Sequence, residues 1–210
     1  MPGNHTRRPL KSRDTHWARA VASRLAAMNL TPNRISQGAI LFAAVAGVAF
    51  WLSGTTDMLA RILFLLLAAA GCQLRLLCNL FDGMVAVEGG KSEPDGPFWN
   101  EAPDRAADIL ILVGAGLGAG TPALGWAAAA AAVLTAYVRE LGRAEGAPAD
   151  FGGPMAKQHR MAVMTGAALI AAPLPDFSVI AIALWIVAAG ASATAAIRSV
   201  RLIRFLASRR

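Results

Sequence analysis

Long uncharged apolar stretches alternate along the chain with short polar ones. No charged residue occurs from Ile35 to Thr56 or from Ile109 to Val138, and Met161 to Ile197 holds only Asp176. Runs of about 18 or more apolar residues read as transmembrane helices. Two of these runs are too long for one crossing. Ile109–Val138 would measure about 45 Å as a helix, and Ala119–Gly125 ("AGTPALG") divides it, as "APLPD" (Ala172–Asp176) divides the later one. A further apolar segment runs from Met58 to Phe81 despite Arg61 and Arg75. The pattern predicts an all-α integral membrane protein with six spans, at 34–53, 58–81, 100–120, 122–141, 157–173 and 177–198. Before them, Asp14–Leu30 places Trp17, Val21, Leu25 and Met28 on one helical face, with Arg19 opposite. That suits an amphipathic juxtamembrane helix in the headgroup region.

Charge adds an orientation. Arg7, Arg8, Lys11, Arg13, Arg19, Arg24 and Arg34 precede the first span, and Arg198, Arg201, Arg204, Arg209 and Arg210 close the chain. Six spans put both ends on one side, and basic flanks are cytoplasmic. The basic connection Arg139–Arg160 falls on that side, while the opposite connections 53–57, 119–125 and 172–176 hold no Lys or Arg. The net charge of +7 is thereby accounted for by topology, with no nucleic-acid partner. The polar first 24 residues give no signal peptide, and Cys72 and Cys78, six apart on one helix, imply no disulfide. The chain divides into a basic segment 1–30, a membrane domain 31–200 and a basic tail 201–210.

One segment breaks the apolar pattern. Between Cys78 and Asp108 lie seven carboxylates: Asp82, Glu88, Glu93, Asp95, Glu101, Asp104 and Asp108. Asn79 and Asp82, three apart, share a face at the end of the second span. Asn100, Asp104 and Asp108, at steps of four, share one at the start of the third, and Arg75 lies one turn before Asn79. Carboxylates at membrane depth are costly and usually mark a site. Oxygen donors offered by two facing helices suit a hard divalent cation, Mg²⁺ or Mn²⁺. Glu88, Glu93 and Asp95 read as a solvated loop. Arg139, Arg143, Lys157, His159 and Arg160 read as an anionic-headgroup or acceptor-phosphate site. Gly114, Gly116, Gly118 and Gly120 form small-residue pairs suited to close helix packing.

This segment resembles the CDP-alcohol phosphatidyltransferases, whose pattern is D-x2-D-G-x2-A-R-x8-G-x3-D-x3-D. The same register gives Asn79, Asp82, Gly83, Ala86, Val87, Gly96, Asn100 and Asp104 with every gap kept; five of the eight positions hold the family residue. "DRAAD" (Asp104–Asp108), "LTPNRIS" (Leu30–Ser36), "VREL" (Val138–Leu141) and "GPMAKQHRM" (Gly153–Met161) are similar to further family segments. The departures are Asn at 79 and 100 and Val at 87.

The resemblance implies a homodimeric six-helix enzyme of phospholipid synthesis in the bacterial cytoplasmic membrane, its polar cavity open to the cytoplasm. It would transfer a phosphatidyl or related group from CDP-diacylglycerol or another CDP-alcohol to a polar alcohol acceptor, releasing CMP. The alternative is a catalytically reduced relative that binds lipid or nucleotide without turnover. Carried over by position, Asp82, Asp104, Asn79 and Asn100 would hold Mg²⁺ or Mn²⁺, with Asp104 as general base and Asp108 as a possible extra ligand. Asn33, Gly83, Ala86, Gly96 and Arg75 would meet the nucleotide. Arg139, Lys157 and Arg160 would meet the acceptor.

Overall fold

The structure, a computed structural model, describes residues 15–88, 93–174 and 178–209, without the Glu88 side chain. Arg7, Arg8, Lys11, Arg13 and Arg210, the middle of the spacer 88–95 and the break at Pro175–Asp176 lie outside the described residues. Among those described there are seven α-helices and no strand: α1 His16–Ala27, α2 Pro32–Ser53, α3 Met58–Glu88, α4 Gly96–Gly118, α5 Pro122–Ala144, α6 Lys157–Ala171 and α7 Ser178–Ala207.

The expected helices all appear, but α3 and α7 run on past the apolar segments that announced them. Hydropathy ends the second span at Phe81, where polar residues begin. Polarity does not stop a helix, and no proline interrupts the chain before Glu88. At 31 residues α3 is about 46 Å long, against a hydrocarbon core of about 30 Å. The excess carries Asp82, Gly83 and Ala86 beyond Phe81. The same reasoning extends α7 through Arg198 and Arg201.

Three helices, α2, α3 and α7, are long and apolar enough to cross a membrane. Their outward faces are apolar, with Leu41, Trp51, Leu59, Leu63, Ile182 and Trp185 exposed. This is the surface of an integral membrane protein rather than of a water-soluble one. α4 and α5 have 23 residues each, a spanning length, but alanine and glycine take many of the places that leucine holds elsewhere. That substitution serves packing. α2 lies along both α3 and α4, α5 lies between α4 and α7, and α6 joins α3 to α7. A Cβ on Gly114 would fall on the Gly47 carbonyl of α2, and one on Gly118 on the Phe50 carbonyl. Gly116 meets the α5 backbone at Gly125, where a Cβ would come within 2.7 Å. The small-residue stripe on α4 is therefore a backbone-to-backbone seam with α2 and α5.

α1 packs on α3, with Ala18 and Ala22 covered by Leu80, Phe81, Met84 and Val85. Trp17 meets the Phe81 ring edge-on at 6.0 Å. Val21 and Leu25 are partly buried as the pattern implies, whereas Met28, past the last helical residue, is exposed. α2 starts where Thr31 accepts the Arg34 N–H at 3.4 Å and Pro32 takes the first turn. Both cysteines are free thiols.

Candidate active site

A cavity of about 660 Å³ opens between the polar ends of α2, α3 and α4 on one side and α5, α6 and α7 on the other. Its first wall carries Asn33 and Ser36 of α2, Asn79, Asp82, Gly83 and Ala86 of α3, and Gly96, Asn100 and Asp104 of α4. Its second wall carries Arg139, Arg143, Lys157, Arg160 and Arg198. The sequence-predicted site residues come together here with three exceptions. Arg75 and Asp108 lie behind the first wall, and His159 is exposed outside the cavity beside the Pro154 carbonyl, 2.9 Å away.

Asp82 is 4% exposed, and its Oδ2 accepts the Ser36 hydroxyl at 2.7 Å. No cation pairs with it among the described residues. Asp104 faces three. Lys157 Nζ rests on its Oδ2, Arg75 Nη2 stands 3.4 Å from its Oδ1, and Arg105 Nη1 stands 3.9 Å from Oδ2. Asp108, fully buried, is held on both oxygens, by Arg75 at 3.2 Å and by Arg160 at 2.5 Å. Arg75 is itself fully buried and also donates to the Asp104 carbonyl at 3.1 Å. It does not snorkel to the interface; it binds two acids of α4 to α3.

A fixed loop shapes the second wall. Arg198 donates to the Gly152 carbonyl at 2.9 Å and to the Thr135 carbonyl at 2.8 Å, and Thr194 Oγ1 accepts the Met155 N–H at 2.9 Å. These bonds bring the 145–156 connection against α7, where Phe151 lines the cavity under the Arg139 guanidinium, 5.5 Å from the ring centre. Arg139 also pairs with Glu101 of α4 at 2.5 Å, and Arg105 pairs with the same carboxylate. Sequence reading missed Ser36, Glu101, Arg105, Phe151 and Arg198. An i, i+4 step from Thr194 to Arg198 was an available signal for the last of these. The loop acids also do more than meet solvent. Glu93 lines the cavity and accepts the Asn33 N–H at 3.3 Å, while Asp95 accepts from the Asn33 amide at 2.8 Å and from Trp99 at 3.0 Å. They fasten the start of α4 to the start of α2.

The donor set suits a hard divalent cation. Asn79 Oδ1 is buried with no hydrogen-bond partner, and Asp104 Oδ1 is buried with no hydrogen bond, only the Arg75 guanidinium at ion-pair distance. Such orphaned oxygens are costly unless something cationic or protic meets them. Together with Asp82 they offer carboxylate and amide oxygens from two helices. No cluster of three or more Asp, Glu, His or Cys side chains stands at metal-ligand spacing among the described residues, so amide oxygens, waters or substrate phosphate oxygens would complete any coordination sphere.

The fold matches solved structures of phosphatidylinositol phosphate synthase from Mycobacterium tuberculosis. Against that enzyme in complex with manganese and citrate, the TM-score is 0.74 at 16% identity, covering 88% of each chain. Against the form with CDP-DAG bound, it is 0.74 at 16% identity, covering 90% of this chain and 94% of the other. The apo form gives 0.70 at 16% identity, covering 88% and 94%. No protein-family model and no curated protein matches the chain.

Proposed function

We propose that the protein is a membrane phosphotransferase of the CDP-alcohol phosphatidyltransferase type. It moves a phosphatidyl or related phospho-alcohol group from CDP-diacylglycerol, or another CDP-alcohol, to the hydroxyl of a polar acceptor. One observation carries the reading: seven of the eight motif positions, Asn79, Asp82, Gly83, Ala86, Gly96, Asn100 and Asp104, line one cavity. Residues spaced along 26 positions of sequence have no other reason to converge on a single opening. The fold likeness to a synthase solved with CDP-DAG and with manganese supports the same donor and a divalent ion, Mg²⁺ or Mn²⁺.

Asp82, Asp104 and the amide oxygens of Asn79 and Asn100 would hold the ion, which when bound supplies charge neutralisation for the diphosphate. Gly83 and Ala86 project nothing larger than a methyl, so the nucleotide can lie against α3, with Asn33 and Gly96 at its edge. Asp104 accepts the proton of the acceptor hydroxyl. The hydroxyl oxygen bonds to the phosphorus next to the lipid, the bond from that phosphorus to CMP breaks, and CMP leaves. Arg139, Lys157 and Arg160 make the opposite wall cationic and suit an acceptor that is itself anionic. Arg75 and Asp108 hold Asp104 in place and meet no substrate directly.

Purified protein supplied with CDP-diacylglycerol, Mn²⁺ or Mg²⁺ and a panel of alcohol acceptors should release CMP only with metal and form one new phospholipid. Metal-dependent binding of CDP-diacylglycerol without CMP release from any acceptor would favour a reduced relative without turnover, a reading supported by Asn79, Asn100 and the Lys157–Asp104 pair.

The reading carries a topology: six spans from α2 to α7 in a bacterial cytoplasmic membrane, both termini and the cavity cytoplasmic, within a homodimer. A cysteine introduced at residue 5 and another at 207 should both label from the cytoplasmic side. Labelling from opposite sides would refute six spans. A detergent-corrected scattering mass of one chain would refute the dimer.

A further inference from the structure

The first wall offers four donor positions, yet only two are acids, and those two have different surroundings. Asp82 has the Ser36 hydroxyl and the Gly83 backbone N–H against it. Asp104 has the Lys157 ammonium on one oxygen and the Arg75 guanidinium beside the other. Lys157 is no loose surface lysine. It is the first residue of α6, and one turn later Arg160 locks that helix end to Asp108 and to the Met155 carbonyl at 3.0 Å. Counted together, Asp82, Glu101, Asp104 and Asp108 carry four negative charges, and Arg75, Arg105, Arg139, Lys157 and Arg160 carry five positive. The cluster has no spare negative charge before any metal enters. Two divalent ions would add four positive charges to this largely buried group, which its low dielectric penalises heavily. One ion adds two, which a diphosphate offsets.

We propose that Lys157 supplies the second cation of this cleft, its ammonium standing on one Asp104 oxygen, so that the protein takes a single divalent ion, held by Asp82, Asn79, Asn100 and the other Asp104 oxygen. The inference rests on the phosphotransferase reading above. The ammonium has three donors, so one can hold Asp104 while another meets a substrate phosphate oxygen. A fixed side-chain cation thus stands in for an exchangeable one.

Electron paramagnetic resonance of Mn²⁺ titrated into the purified full chain tests this without turnover. Wild type should bind one Mn²⁺ per chain with no spin-coupled pair. Lys157→Met and Lys157→Gln should each admit a second, coupled Mn²⁺ or tighten Mn²⁺ binding about tenfold, the scale of removing one unit charge about 6 Å from a divalent ion in a cleft screened by water. Lys157→Arg should stay at one ion. A spin-coupled Mn²⁺ pair in wild type overturns the inference and leaves the phosphotransferase reading intact, as would neutral variants matching wild type in stoichiometry and affinity. Absence of Mn²⁺ binding in wild type and variants alike overturns both.

Discussion

Asp82→Asn is expected to abolish turnover and metal-dependent nucleotide binding together. Asp82 is the one carboxylate of α3 and α4 on the cavity wall with no cation against it among the described residues, so its charge is the one most available to an incoming ion. With amides at Asn79 and Asn100, no neighbouring acid can replace it. The substitution keeps shape and nearly keeps volume, and Ser36 can still donate to the remaining carbonyl oxygen, so folding should survive. Loss of the ion should cost more than the roughly 10²–10⁴-fold in rate that removal of a positioned base alone costs. Asp104→Asn should also stop turnover but leave part of the nucleotide binding, since Asp82 remains. Asn79→Asp combined with Asn100→Asp should tighten Mn²⁺ binding. Calorimetry of CDP binding with and without Mn²⁺, beside a CMP-release assay, reads all three. Wild-type turnover in Asp82→Asn would remove the ion from the positions assigned to it.

The second large effect falls on stability. Arg75→Met should destabilise the protein by about 3–5 kcal/mol, the usual cost of removing one partner from a buried ion pair. The guanidinium is fully buried and serves the Asp104 carbonyl, the Asp104 carboxylate and Asp108 at once. Without it, Asp108 keeps only Arg160 and Asp104 loses the cation behind it. Asp108→Asn alone should also destabilise, and for the same reason: a charge balanced in place is left unbalanced. In the double variant the two losses should fall well short of their sum, because they share one interaction. Thermal midpoints of detergent-solubilised protein measure this. An unchanged midpoint in Arg75→Met would mean that the pair carries no folding energy.

Much of this was legible beforehand because membrane insertion leaves a simple record. Each helix from α2 to α7 overlaps an expected span, and the turn at Ala119–Thr121 falls where Gly and Pro interrupt the apolar run. The facing donors were legible too, since steps of three and four residues fix which side chains share a helix face. The length of α3 was not. Hydropathy measures the cost of leaving water, and a helix continues into water at little cost once nucleated. Nor was the service of Arg75 and Asp108 legible. Their pairing joins residues 33 positions apart on two helices, and sequence spacing carries no information about which cation reaches which acid. The 145–156 connection reads as an ordinary loop; its place in the cavity wall depends on Thr194 and Arg198, some forty residues later.

The seam at Gly47–Gly114 and Phe50–Gly118 has a consequence for how such a protein can change. Backbone rests on backbone there, so α2 and α4 cannot slide past one another without one carbonyl striking the next. The wall bearing Asn33, Ser36 and Asp104 is therefore held by contacts that admit almost no variation in side-chain size. The opposite wall is held by hydrogen bonds from Arg198 and Thr194 to loop backbone, which many loop sequences could accept. Mutation thus has unequal freedom on the two sides. On the proposed function, the alcohol recognised could drift through the loop and the basic wall, while the wall assigned to the donor stays locked by glycine.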